Sequence, residues 1–92
     1  MKLKMHLGAH APNEGARQLA RWIASECAGD LRAAARGLYI TESVLQRILD
    51  GEITPSTTLG ARMFTVFGAK ARMFNRDASA PWFGPAPLAR AA

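Results

Sequence analysis

The stretch Leu31–Pro55, LRAAARGLYITESVLQRILDGEITP, constrains the fold most. Its apolar residues recur at helical spacing, and its turn residues cut it into two short helices. The first is rich in small residues (Ala33, Ala34, Ala35), which let a neighbouring helix approach closely. Thr41 reads as the N-cap of the second, which offers Val44, Leu45, Ile48 and Leu49 for burial. Asp50-Gly51 stops that helix, Glu52 to Thr54 form a loop, and Pro55-Ser56 open a further helix ending at Gly68.

One other helix precedes this unit. Ala16, Leu19, Ala20, Ile23 and Cys27 repeat at three and four residues, so the spacing predicts a helix from about Asn13 to Ala28, capped by Asn13 and ended by Gly29. Asp30 reads as the N-cap of the helix that runs to Leu38. Residues 2–7 alternate instead: Lys2, Lys4 and His6 against Leu3, Met5 and Leu7, the period of a half-buried strand. A strand needs a partner, and Lys70–Arg76, where Arg72, Phe74 and Arg76 alternate with Ala71, Met73 and Asn75, is the expected one. The expected fold is therefore mainly α: four helices with a small N-/C-terminal antiparallel β-ribbon. Residues 1–77 form the domain. Residues 78–92 carry three closely spaced prolines and read as an extended tail or arm, whose Trp82 and Phe83 need a surface to dock on, in the domain or on a second subunit.

The short helices around Tyr39 resemble the helix-turn-helix of the lambda repressor and Cro (XRE-like) family. The resemblance covers about Leu31 to Gly68. In that pattern the first helix carries a buried small residue, here Ala35; a turn residue follows four positions later, usually Gly and here Tyr39, then an apolar residue, Ile40. The recognition helix buries Leu45 and Ile48, and Gly51, Pro55-Ser56 and Gly68 fall at the family's spacing. Tyr39 is the departure, because the turn position wants positive φ, which costs a non-glycine residue roughly 1–2 kcal/mol. Shifting the motif to use Gly37 would put Ser43 where Leu45 must be buried, so the Tyr39 register stands and a distorted turn is expected.

The resemblance implies a sequence-specific double-stranded DNA-binding regulator, most simply a repressor, that occludes a promoter by inserting helix 41–49 into the major groove. Thr41, Glu42, Ser43, Gln46 and Arg47 then face outward. Gln46 can pair with adenine at two points, and Arg47 with guanine or a phosphate. Thr41 and Ser43 suit phosphates, and Arg32 and Arg36 on the preceding helix suit the backbone. Glu42 has two readings: an acceptor for a cytosine amino group, or a favourable charge at a helix N-terminus. Two half-sites lie about 34 Å apart, so a homodimer is expected, with Met73, Phe74, Trp82 and Phe83 as the dimerisation residues. The rival readings are a protein-interaction module of the same fold without DNA binding, and an antitoxin-type DNA-binding subunit.

Composition agrees without deciding. The net charge is +5, from twelve Lys and Arg against seven acids, which suits a polyanion. Much of it lies outside the motif, in Lys70, Arg72, Arg76 and Arg90 against Asp77. His6, His10 and Cys27 lack metal-ligand spacing, no phosphate loop follows a strand, and Ser25-Glu26-Cys27 diverge around a helix, so no metal, cofactor, small-molecule effector or enzymatic activity is expected. The start imitates a signal peptide, but its apolar run is short and broken by His6. No segment is long enough to span a membrane. A single cysteine fits a small core residue in a reducing cytoplasm, and DNA binding would place the chain at the nucleoid.

Overall fold

A computed structural model describes residues 10–82; the alternating segment 2–7, Phe83 and the rest of the chain to residue 92 lie outside the described residues. Along the described residues run α1 (Glu14–Glu26), α2 (Leu31–Leu38), α3 (Glu42–Leu49), α4 (Thr57–Phe67) and a short 3₁₀ helix (Ala71–Asn75). Each α-helix starts where a short polar side chain accepts an otherwise unpaired N–H. Ala16 donates to Asn13 at 2.7 Å, Arg32 to Asp30 at 3.0 Å, Val44 to Thr41 at 3.1 Å and Leu59 to Ser56 at 3.2 Å. After α3 the chain overwinds and stops: Gly51 N–H donates to Ile48 and Glu52 N–H to Arg47, closing the free carbonyls.

The core forms where the apolar stripes of these helices meet. α1 contributes Ala16, Leu19, Ala20 and Ile23; α2 contributes Leu31, Ala34, Ala35 and Leu38; α3 contributes Leu45, Ile48 and Leu49; α4 contributes Leu59 and Met63. Ala35 is buried as its role in close helix approach requires, whereas Ala33 is exposed and Val44 only half-buried. α3 packs on α1 and α2, and α4 packs on α2. Trp22 of α1 stacks on Phe67 of α4, with ring centroids 5.2 Å apart and planes 15° from parallel.

The C-terminal end corrects the expected ribbon. Residues 71–75 form a 3₁₀ helix against α1 and α4, and no strand occurs among the described residues. The reason is one side chain. Phe74 turns inward and lies on Gly15, where any Cβ would collide with its ring. The only β-type pairing of the two chain ends among the described residues is an isolated antiparallel bridge, His10 with Pro81.

The packed unit also runs past residue 77. Ala80 and Trp82 are buried, and Trp82 joins the core cluster. Residues 76–79 clasp the start of α1: Glu14 N–H donates to the Arg76 carbonyl at 2.9 Å, and Ser79 N–H donates to Glu14 Oε1 at 2.7 Å. Arg17 is 6% exposed and ion-paired with Glu14 at 3.0 Å. Burial alone would push the Glu14 carboxyl up, but the Ser79 and Gln18 hydrogen bonds and the Arg17 charge outweigh it and hold the group below its ordinary value. Phe74 and Trp82, assigned to a dimer contact from sequence, are thus spent inside the chain's own core; Met73 is half-buried.

Candidate nucleic-acid interface

The candidate surface is assembled by the three residues between α2 and α3. Tyr39 adopts φ 58° and ψ 42°, a regular left-handed C-cap rather than the distorted turn expected of a non-glycine residue there. Its N–H donates to the Arg36 carbonyl at 3.2 Å, and Ile40 N–H donates to Ala35 at 3.0 Å, so the end of α2 is closed and the chain redirected within one residue. Thr41 then caps α3, whose buried Leu45, Ile48 and Leu49 fix which side faces out.

Thr41, Ser43 and Arg47 are exposed, and Glu42 and Gln46 are half-buried. Thr41 and Ser43 lie at the N-terminus of α3 beside Glu42, whose charge is favourable there. Arg32 and Arg36 are exposed on α2. The sequence-derived site residues therefore occupy the surfaces of two adjoining helices, as their spacing predicts.

Their partners were not legible. Arg32 Nε donates to Glu42 Oε1 at 3.1 Å, which links α2 to the start of α3. Gln46 Nε2 donates to Asp50 Oδ1 at 2.9 Å, and Arg47 Nε lies 3.5 Å from Glu52 Oε1. Three of the expected contact groups thus already hold an acidic partner. These contacts are solvent-exposed and worth about 1 kcal/mol or less each, so an incoming phosphate or base edge can replace them. Only the Gln46–Asp50 pair, one helical turn apart, leaves a signal in sequence. Arg32 and Glu42 are ten residues apart, and the turn after α3 is what brings Glu52 back to Arg47.

Arg62 was missed altogether. Its Nη1 donates to the Leu38 carbonyl at 2.8 Å, satisfying the C-terminal end of α2, and its guanidinium carbon lies 5.1 Å from the centroid of the Tyr39 ring. Beside it a cleft of about 300 Å³ is lined mainly by Ile40, Val44, Ile48, Ile53, Pro55 and Leu59. His10 is exposed and Cys27 half-buried, and no group of three or more metal-ligating side chains occurs among the described residues. Burial, followed by the charges of Glu26 and Asp30, pushes the Cys27 thiol up, away from the thiolate a nucleophile needs. No described helix is long and apolar enough to cross a membrane. Comparison with protein-family models, curated proteins and solved structures found no match to this chain.

Proposed function

We propose that the chain is a sequence-specific double-stranded DNA-binding protein that uses α2 and α3 as a helix-turn-helix, acts as a transcriptional regulator in the cytoplasm, and lays α3 in the major groove. One observation carries the reading. Two eight-residue helices are joined through a left-handed residue, bury Ala35, Leu45 and Ile48 between them and α1, and leave Thr41, Ser43, Arg36 and Arg47 outward. Those groups are hydrogen-bond donors of the kind that hold phosphates and read base edges. In this reading Gln46 and Arg47 exchange Asp50 and Glu52 for bases when DNA arrives. Two-fold pairing of chains on adjacent half-sites supplies the contacts one small domain lacks.

The test is a duplex selected from a random library, followed by a salt titration. Observed affinity falls with salt at a logarithmic slope of about −0.9 per neutralised phosphate. Gln46→Ala or Arg47→Ala costs about 1–3 kcal/mol and relaxes preference at one base position if that residue reads a base. An unchanged preference in both variants removes the site assignment. A second reading is favoured by the acidic partners themselves: Glu42, Asp50 and Glu52 on the same surface suit a protein-interaction module of this fold. Failure to bind any duplex at low salt, with a stable protein partner recovered instead, would select it.

A further inference from the structure

We propose that Tyr39 is itself a DNA-backbone contact, with its ring supported by Arg62, and that it occupies the turn for binding rather than for folding. The proposal rests on the DNA-binding reading above. Tyr39 sits in a backbone conformation that glycine adopts freely and that costs a side-chain-bearing residue free energy. The side chain recovers little in the folded chain, since it is 81% exposed, the most of any large apolar group among the described residues. Its one described ring contact is the Arg62 guanidinium, which also donates an N–H to the Leu38 carbonyl, a backbone group that does not belong to Tyr39. That exposed cation–π contact is worth about 0.5–1 kcal/mol, no more than the roughly 1–2 kcal/mol the left-handed conformation costs, so folding does not favour tyrosine over glycine here.

Charge points to the partner. Among the described ion pairs, Arg32 and Arg47 hold Glu42 and Glu52, whereas Arg62, the cation against the Tyr39 ring, holds no acid. An exposed ring against a cation without an acidic partner suits a phosphodiester: the phenol O–H donates to a phosphate oxygen, the ring packs on the adjoining sugar, and Arg62 retains donors for the same strand. Tyr39 lies two residues before the N-cap of α3, so this contact would fix the register of α3 in the groove.

A backbone contact acts on any sequence, so the probe is a short mixed-sequence duplex in low salt, read by fluorescence anisotropy, with thermal unfolding measured in parallel. Tyr39→Gly is expected to unfold at an equal or higher temperature than the natural chain and to lose about tenfold in affinity, while Tyr39→Phe keeps the ring and loses about threefold. The proposal is overturned if Tyr39→Gly binds within about twofold of the natural chain. It is equally overturned if that variant unfolds at a clearly lower temperature, since the ring would then serve stability. A natural chain that binds no duplex at all overturns the DNA reading together with this one, and is distinguishable from a binding chain indifferent to position 39.

Discussion

α3 and the segment that follows α4 are held to the same core by opposite means. α3 is anchored by Leu45, Ile48 and Leu49, spaced so that a helix must present them together. The segment from Ala71 to Trp82 is anchored by isolated aromatic rings, Phe74 on Gly15 and Trp82 in the core, with backbone hydrogen bonds to the start of α1 between them. A distributed anchor tolerates the loss of one residue by local repacking. An anchor of single rings concentrates the energy at a few contacts, Phe74 above all, and the basic residues beside that ring (Arg72, Arg76) depend on it for their position.

The contrast can be broken at three places. The largest effect is expected from Phe74→Ala, at about 3–5 kcal/mol in equilibrium urea unfolding. An added exposure of Trp82 to quencher would show that the clasp opens with it. If Phe74→Ala costs no more than an exposed substitution, the single-ring anchor is wrong. Gly15→Ala attacks the same contact from the other side. A Cβ there overlaps the Phe74 ring, so overpacking costs about 1–3 kcal/mol. Combining it with Phe74→Leu should cost less than the sum of the two, because the smaller side chain makes room for the methyl group.

The smallest effect sharpens the role of the clasp. The Glu14 carboxyl is held below its ordinary value, so its contribution to stability is present above the unfolded carboxylate range, about 4.3, and is lost as pH falls through the lower folded value. Glu14→Gln should therefore lower the unfolding temperature at pH 6 and differ progressively less from the natural chain as pH falls towards 3. A difference that stays constant across this range would mean that the carboxylate charge does not contribute to the clasp.

The same contrast explains what was legible in the sequence. Helices α1 to α4 and their caps could be read because capping and stripe formation are local: Asn13, Asp30, Thr41 and Ser56 each bond two or three residues ahead. The positive φ at Tyr39 came instead from the resemblance, in which that turn position is usually glycine. The 3₁₀ helix could not. Over residues 70–76 the alternation of Arg72, Phe74 and Arg76 with smaller residues imitates a strand, and only the fit of Phe74 against a residue without a side chain, 59 positions earlier, decides otherwise. Trp82 plainly required burial, but nothing in the sequence around it decided between its own domain and a second subunit. At the candidate surface the outward residues were legible from helical spacing. Their acidic partners, and Arg62 under Tyr39, were not, because those contacts join separate elements.

The clasp also orders the assembly of the molecule in time. The α2–α3 contacts span about twenty residues and need only local chain closure. The joining of Glu14 to Arg76 and Ser79, and of His10 to Pro81, closes a loop of more than sixty residues. Such non-local contacts raise the entropic barrier and slow folding. On a ribosome, α1 cannot gain its last hydrogen-bond partners until nearly all of the described chain has been made, so the candidate DNA-reading helices can be native in outline before the helix behind them is secured.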